Sequence, residues 1–354
     1  MSKYTSESSP IISVVLPVFN AEKYVSEAVA SILSQTFSDF ELIIINDGSS
    51  DGTLSVLQRH AEKDSRIRLV SRENRGVVAS MNEGIQLSRG KWIARMDSDD
   101  ISLPYRFERQ LQLLAKTDSD ICGGWVKLFG ALESHVLKFP HSDEAIKTTI
   151  LFESPFAHPT VMMKTNLLRQ MQYDESYRKG SEDYDLWERA AQEGLRMTNV
   201  PEVVLLYRQH KAQMTSILLN DNQALAQNVR RRYWSFISKS IPLDKGWIDE
   251  VLKIREPIIS TINIDYVGLA FASLLQHSDR KVYPVIFDQM AKLYFRIASV
   301  CPNVVANWDE VNKKYIGRSS FKVKLKLFLI RFFRIHPNSL SYIRLRNFYF
   351  TFKR

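Results

Sequence analysis

Short apolar runs separated by polar turns dominate the first hundred residues. The runs are rich in β-branched residues and occupy residues 11–16, 40–45, 67–70 and 92–96. Segments with helical spacing of apolar positions lie between them, at 21–34, from Leu54 onward and at 77–87. Runs that are apolar on both faces are typical of parallel strands covered by helices. The pattern therefore predicts an α/β fold with a mostly parallel, doubly wound sheet.

The part of the chain after the first hundred residues is predicted to contain both strands and helices and then to become entirely helical. Strands are predicted at 121–129, 159–163 and 202–207, a helix at 183–193, and helical segments at 221–239 and 270–299. We expect a flexible N-terminus over 1–10 and an α/β domain over 11–216, with halves 11–100 and 101–216. A helical extension over 217–312 and a basic, hydrophobic tail over 313–354 complete the expected organisation.

Three carboxylates follow the fourth predicted strand within four residues. Asp97, Asp99 and Asp100 end the apolar run that begins at Trp92. Ligands bind at the carboxyl ends of strands in such sheets, and closely packed carboxylates raise each other's pKa. A divalent cation relieves this repulsion because hard oxygen ligands suit Mg²⁺ or Mn²⁺. The alternative is a solvated acidic loop that begins a helix.

Three further polar elements are candidates for the same crevice. Asp47 ends the second strand, where it either caps a helix or accepts a hydrogen bond from a base or a sugar. Glu182, Asp183 and Asp185 open a predicted helix. Acids are favoured there by the helix dipole, but three exceed the need of one cap, so one of them is a candidate general base. His210 follows a predicted strand beside two cations and is a candidate for metal or phosphate contact.

Charge and composition exclude several classes of protein. The chain has 354 residues and a net charge of +9, yet residues 313–354 contain twelve Lys or Arg and no Asp or Glu. The preceding 312 residues carry 36 basic and 39 acidic groups, which argues against a nucleic-acid-binding body. Two cysteines without metal-ligand spacing argue against a disulfide scaffold and a zinc site. No signal peptide and no membrane-spanning segment are expected.

Six segments of the chain together resemble the motifs of family 2 glycosyltransferases, and they occur in the same order and at the same spacing as in that family. The matching segments are residues 15–20, 46–53, 74–76, 96–100, 182–187 and 207–210. The resemblance covers residues 11 to about 216. It implies the GT-A fold, a Rossmann-like α/β architecture, and the use of nucleotide-sugar donors.

The resemblance also implies roles for individual residues. The residues expected to bind the nucleotide sugar are Pro17, Val18, Phe19, Asp47, Arg75, Asp97 and Ser98. Asp99 and His210 are expected to hold Mn²⁺ or Mg²⁺, and Asp183 matches the catalytic base, with Glu182 supporting it. Asp97 and Asp99 fit the two acids of the family motif better than Asp100 does, and the part played by Asp100 stays open.

The implied activity is transfer of a sugar from a nucleotide-diphosphate donor, with a UDP-sugar expected, to a hydroxyl of a glycan or lipid-linked oligosaccharide. A metal neutralises the leaving diphosphate, and a single base opposite it gives inversion at the anomeric carbon. Such a reaction belongs to bacterial surface polysaccharide biosynthesis. The alternative is an inactive nucleotide-sugar-binding or scaffold protein of the same fold, which would not need Glu182, Asp183, Asp97 and Asp99 together.

The last expectations concern the residues that contact the acceptor and the location of the protein in the cell. His158, Trp125 and Trp187 are candidates for acceptor binding. For His158 the structural role of capping a strand is favoured, whereas each tryptophan is equally compatible with stacking on a sugar and with burial. The tail either packs on the protein or binds the anionic membrane surface, which would place the enzyme in the cytoplasm at the inner face of the cell membrane. No nucleic-acid partner is expected.

Overall fold

The computed structural model describes residues 9–130, 134–210, 219–256, 261–316, 320–335 and 339. Parts of all four predicted segments lie outside these residues: 1–8 of the N-terminus, 131–133 and 211–216 of the α/β domain, 217–218 and 257–260 of the helical extension, and 317–319, 336–338 and 340–354 of the tail. The chain divides into two compact units, Met1–Ala226 and Gln227–Arg354.

The first half of the N-terminal unit contains the predicted parallel sheet. Its strands are β1 (Ile12–Val18), β2 (Phe40–Asp47), β3 (Ile67–Arg72) and β4 (Trp92–Arg95), in the order β3-β2-β1-β4. Helices α1 (Val25–Leu33), α2 (Thr53–Ala61) and α3 (Val77–Leu87) connect them. β1, β2 and β4 are almost entirely buried, as expected for strands covered on both faces. The predicted α/β sheet is confirmed.

The second half extends this sheet with strands of both directions. The elements are β5 (Ile101–Ser102), α4 (Arg106–Thr117), β6 (Ile121–Gly130), β7 (Val136–Leu137), α5 (Asp143–Ile150), β8 (Met162–Lys164), α6 (Thr165–Met171), α7 (Glu182–Gln192) and β9 (Met197–Gln209). The strand order continues from β4 as β8-β6-β9-β5, and β7 pairs with β6. β6 and β9 are parallel, whereas β8 is antiparallel to both of its neighbours and β5 is antiparallel to β9.

One strand boundary differs from the expectation. The strand predicted at 159–163 begins only at Met162, because His158–Thr160 form a turn of 3₁₀-helix. Pro159 has no backbone N–H to give to a sheet, so its position suits this turn better than a central strand. The turn brings His158 to the end of the sheet.

Close packing of α3 on β1 depends on one glycine. A methyl group at Gly84 would lie 2.4 Å from Cγ1 of Val15, far inside van der Waals contact. Val15 is fully buried in the centre of β1. The missing side chain therefore lets α3 lie directly against the central part of β1.

The C-terminal unit is helical, as expected. Its elements are the greater part of α8 (Leu219–Ile237), then α9 (Lys245–Lys253), α10 (Ile264–His277), α11 (Tyr283–Ile297), α12 (Val304–Ile316) and α13 (Phe321–Phe332). The predicted helical segment 270–299 is two helices, because Ser278 adopts an extended conformation and Asp279 caps a short turn before α11. Within the described ranges, no helix has both the length and the apolar character needed to cross a membrane.

Candidate active site

The turn after β4 gathers three carboxylates. Asp97, Asp99 and Asp100 each offer an oxygen, and these oxygens lie within 4.8 Å of one another. Asp100 is almost completely buried, and its Oδ2 has no hydrogen-bond partner in the described part of the chain. A buried oxygen without a donor is costly, and carboxylate oxygens grouped this closely are a set of hard ligands. The three residues therefore fit a divalent cation such as Mg²⁺ or Mn²⁺.

The end of β9 closes over this turn. The backbone N–H of Arg208 donates to Oδ1 of Asp100 at 2.8 Å, and its Nε donates to the carbonyl oxygen of Asp99 at 2.7 Å. Nε2 of His210 lies 2.8 Å from Oδ2 of Asp99. The ring of Tyr24 contacts both the Arg208 guanidinium and the His210 ring. The structure therefore places His210 beside the acidic turn, within reach of any ion that the turn holds.

Burial and mutual repulsion shape the charge of the acidic turn. Burial raises the pKa of Asp97, and the neighbouring Asp99 and Asp183 raise it further, while Arg95 opposes them. Burial, followed by Asp97 and Asp99, raises the pKa of Asp100 well above its ordinary value. A cation bound here would reverse this effect, because it stabilises the ionised carboxylates.

The Arg95 side chain is a buried cation that lies close to several of these acidic groups. The Arg95 guanidinium forms an ion pair with Asp97, and only 9% of its side chain is exposed. Arg95 also lowers the pKa of Asp183 and Glu182 electrostatically. Removing one member of a buried ion pair strongly destabilises the fold, because the other charge stays buried without a counterion. Arg95 therefore keeps a group of close carboxylates compatible with the folded state.

Glu182 and Asp183 occupy the first turn of α7 in a constrained backbone. Gly180 and Ser181, which precede them, have φ angles of +127° and +60°. Residues other than glycine rarely adopt positive φ, and such strain concentrates at functional sites. The Ser154 hydroxyl donates to Oδ2 of Asp183 at 3.3 Å. The left-handed turn thus sets the direction in which the helix presents its two acids.

The pKa of each of these two acids is raised above its ordinary value. Burial raises the pKa of Glu182 to about 7, with a further contribution from the Asp183 charge. Burial also raises the pKa of Asp183, against the stabilising effects of the Tyr184 backbone amide and of Arg95. A base with a raised pKa accepts a proton more readily near neutral pH. The pair therefore has the electrostatic character of an acid–base site.

His158 and Tyr173 lie beside Glu182. Nε2 of His158 is 2.8 Å from the Tyr173 hydroxyl, and its Nδ1 is 3.8 Å from Oε1 of Glu182. Burial, with Arg95 second, lowers the pKa of His158 well below its ordinary value, so the ring is neutral near pH 7. Trp187 is buried and packs edge-on against the His158 ring. Trp187 therefore belongs to the core, with no face open for stacking on a sugar.

Asp47 lies at a second point of the same sheet edge. Its Oδ1 accepts from the Arg75 backbone N–H at 2.8 Å, and its Oδ2 accepts from the Gly76 N–H at 2.9 Å. Its carboxylate also forms an ion pair with Arg72, its partner across β2 and β3. Asp47 is buried and holds the loop that starts α3, whereas the Arg75 side chain is exposed. This geometry gives Asp47 the structural role at the start of α3, and its contact with a base or a sugar stays a prediction.

The remaining predicted residues lie after the ends of β1 and β4 or at these ends, except Trp125, which lies on β6. Pro17 and Val18 end β1, with Val18 buried, and Phe19 presents 52% of its surface to solvent. Ser98 is half-buried between the acids of the turn. Trp125 donates from Nε1 to the Phe139 carbonyl oxygen at 2.9 Å and is partly exposed on β6.

Sequence reasoning missed Arg72, Arg95, Ser154 and Tyr173. The signal for Arg95 was a lone arginine inside an otherwise buried strand, since such a charge needs a partner. The signal for Arg72 was its place at the end of a strand that pairs in register with Asp47. Ser154 and Tyr173 carry no local pattern, because only the folded chain brings them to the first turn of α7.

Solved structures of two other proteins share this fold. The chain is similar to TarS residues 1–349 of S. aureus in complex with UDP-GlcNAc, with a TM-score of 0.55 over 90% of this chain and 89% of the other. It is similar to the mannosyltransferase PcManGT of Pyrobaculum calidifontis, in complex with GDP-Man and Mn²⁺, with a TM-score of 0.52 over 96% and 83%. Sequence identity is 16% in both cases, so these likenesses concern the fold.

Sequence relatives are closer. An uncharacterised glycosyltransferase of Haemophilus influenzae is 31% identical over 259 residues, covering 69% of this chain and 80% of the relative. The O-antigen biosynthesis glycosyltransferase WbnJ of Escherichia coli is 37% identical over 206 residues, covering 56% and 80%. The family described as "Glycosyl transferase family 2" matches residues 13–170. The chain therefore belongs to glycosyltransferase family 2 and is a glycosyltransferase with the GT-A fold.

Proposed function

We propose that this enzyme transfers a sugar from a nucleotide-diphosphate donor, a UDP-sugar, to a hydroxyl of a glycan or lipid-linked oligosaccharide by metal-assisted single displacement. The observation that carries the proposal is one buried cluster. Its members come from the turn after β4 (Asp97) and the first turn of α7 (Asp183), and Arg95 lies in the field of both. The proposed base and the proposed metal ligands would therefore share one electrostatic environment.

The donor end of the site is assigned to the edge formed by β1, β2 and the acidic turn. Pro17, Val18, Phe19 and the loop held by Asp47 would receive the nucleobase, with Arg75 exposed beside it. Asp97 and Ser98 would contact the ribose and diphosphate. This division is supported by the strand ends, which meet at one edge of the parallel part of the sheet.

Asp99 and His210 would hold Mn²⁺ or Mg²⁺, with Asp100 as a further oxygen ligand. The support is the 4.8 Å grouping of carboxylate oxygens and the contact between His210 and Asp99. When bound, the ion supplies positive charge that neutralises the departing nucleoside diphosphate. The similar mannosyltransferase was solved with GDP-Man and Mn²⁺, which supports a divalent ion in this family.

Asp183 would take the proton of the acceptor hydroxyl as its oxygen forms a bond to the anomeric carbon. The bond from that carbon to the diphosphate oxygen breaks in the same step, and the electron pair leaves with the nucleotide. The configuration therefore inverts, from an α-linked donor to a β-glycoside. Ser154 holds Asp183 by its hydrogen bond, and Glu182 supports the base electrostatically.

The biological setting we propose is surface polysaccharide biosynthesis at the cytoplasmic face of the cell membrane. The support is the relative WbnJ, whose name places it in O-antigen biosynthesis. The proposed lipid-linked acceptor would lie at the bilayer, so an enzyme that reaches it would benefit from a surface that contacts the bilayer.

Binding measurements with a panel of nucleotide sugars test the proposal. UDP-, GDP- and dTDP-sugars are titrated into the full chain with Mn²⁺ and with EDTA, and the shift in Tm is recorded. We expect one UDP-sugar to raise the Tm strongly with Mn²⁺ and weakly with EDTA, because a ligand stabilises the state that binds it. Stabilisation by a different nucleotide would overturn the donor assignment, and equal stabilisation with EDTA would overturn the metal assignment.

A further inference from the structure

The outer face of α13 is a continuous apolar stripe. Phe321, Leu325, Phe328 and Phe332 follow one another at intervals of four, three and four residues, which places them on one side of a helix. Their exposed fractions are 72%, 45%, 53% and 68%. The rings of Phe328 and Phe332 stack with 5.8 Å between centroids, and Phe333, also exposed, packs edge-on against Phe332.

The opposite face of α13 packs on the helical unit. Val323, Leu327 and Ile330 are buried against α11 and α12. Lys326 lies over the ring of Phe295, with its Nζ 4.4 Å from the ring centroid. The helix is thus fixed on one side while large apolar side chains cover the other. Exposed contiguous apolar surface of this kind marks an interaction site.

Basic residues border the stripe. Lys322, Arg331 and Arg334 are exposed beside it, and Lys324 pairs with Asp309 at 3.1 Å. The chain from residue 313 to its end contains no acidic residue. The surface therefore combines an apolar centre with a positive border.

This charge decides which occupant the stripe fits. The segment 336–354 contains Arg344, Arg346, Lys353 and Arg354, so its sign of charge is the same as that of the stripe. A second copy of the helix would bring the same positive border against itself. Repulsion therefore disfavours both, whereas an anionic bilayer supplies an apolar interior and negative headgroups together.

We propose that the stripe formed by Phe321, Leu325, Phe328, Phe332 and Phe333 is a docking surface for an anionic lipid bilayer. The aromatic and leucine side chains enter the boundary between headgroups and acyl chains, and the bordering cations contact lipid phosphates. The proposal stands independently of the donor, the metal and the base assigned above.

Vesicle co-sedimentation of the full chain tests this assignment. Vesicles of phosphatidylcholine with phosphatidylglycerol are compared with vesicles of phosphatidylcholine alone. The variant Phe321→Ser/Phe328→Ser/Phe332→Ser should bind anionic vesicles at least about tenfold more weakly, since binding strength follows buried apolar area. The variant Arg331→Gln/Arg334→Gln should lose most of the preference for anionic vesicles while retaining the apolar contact.

A matched control lies on the same helical unit. Tyr266 and Leu269 are exposed by 42% and 44% on α10, and Tyr266→Ser/Leu269→Ser should bind vesicles like the unmodified chain. Circular dichroism and the Tm of each variant report folding. Absence of vesicle binding by the unmodified chain, or equal binding by the triple serine variant, would overturn the proposal. A concentration-dependent dimer that the serine variant loses, without vesicle binding, would also overturn it.

Discussion

Nε2 of His210 lies 2.8 Å from Oδ2 of Asp99, although 111 residues separate them in the chain. The contact joins the end of β9 to the turn after β4, and Arg208 reinforces it through hydrogen bonds to Asp99 and Asp100. An imidazole and a carboxylate at this distance are suited to sharing one divalent ion. The packing of the end of β9 against the acidic turn therefore brings the two proposed metal ligands together.

Removing either member of this pair should weaken metal binding. His210→Ala and Asp99→Asn are each expected to lower the affinity for Mn²⁺, measured by calorimetry with a nucleoside diphosphate present, by about tenfold or more. His141, a histidine on a loop of the same unit, provides the control His141→Ala. Unchanged Mn²⁺ affinity in both site variants would contradict the ligand assignment.

Asp183→Asn should separate binding from catalysis. The amide keeps the shape of the carboxylate and can still accept from Ser154, but it cannot take a proton at neutral pH. Donor binding should stay within about twofold, while transfer falls by about 10²–10⁴-fold, the usual contribution of a general base. Glu193→Gln, at the exposed end of the same helix, should transfer at the normal rate. Wild-type turnover by Asp183→Asn would remove Asp183 from the role of base.

Arg95→Met should be among the most destabilising changes in the site. Methionine fills much of the same volume but leaves Asp97 without its ion-pair partner, and breaking such a buried pair costs about 3–5 kcal/mol. The loss of positive charge should also raise the pKa of Asp183, so the acidic limb of the pH–activity profile moves to higher pH.

Urea unfolding measures the free energy of unfolding of Arg95→Met. Initial rates of transfer across a range of pH locate the acidic limb of its pH–activity profile. Arg95→Lys, which retains the charge without the planar guanidinium, should recover part of both effects. A Met variant with unchanged stability and an unchanged profile would show that Arg95 does not hold the acids.

The metal-free enzyme should lose stability as pH rises from about 4.5 to about 7. The pKa of Glu182 is raised from its ordinary value of 4.5 to about 7, so the folded state binds more protons than the unfolded state in this interval. The stabilisation is complete below the unfolded pKa and is lost as pH rises through the folded one. Asp97 and Asp183, whose pKa values burial also raises, contribute in the same direction.

Thermal unfolding in EDTA across this interval gives the measurement. Glu182→Gln should flatten the fall in Tm between pH 5 and 7, because the amide does not titrate. Adding Mn²⁺ should also reduce the fall, since a cation favours the ionised carboxylates nearby. A slope that is the same with and without the Glu182 carboxyl would contradict the assignment of this titration to Glu182.

The sequence predicted the parallel strands because burial on both faces leaves an uninterrupted apolar run. It also predicted that Asp47 lies at the end of a strand and that Asp97 follows one, since the change from apolar to polar residues marks those ends. The pairing of β9 with β5 and the hydrogen bond from Arg208 to Asp100 could not be predicted. These contacts join segments more than a hundred residues apart, 108 in the case of the hydrogen bond, and no local pattern encodes such a pairing.

The role of Asp100 shows the same limit. In the sequence it is one of three equivalent acids, and the resemblance to the family favours the other two. In the structure it anchors the end of β9 through one oxygen, and its second oxygen is buried with no donor among the residues that the structure describes. Only the fold distinguishes these two oxygens, because burial is a property of the surrounding elements.

The stereochemistry of the product tests the central claim most directly. ¹H NMR of the anomeric proton in the glycoside formed from an α-linked nucleotide sugar distinguishes single from double displacement. One displacement with Asp183 as the base predicts a β-linked product with the larger anomeric coupling expected of a gluco-configured sugar. An α-linked product would contradict the account, because retention requires a different chemical course from the one derived for this site.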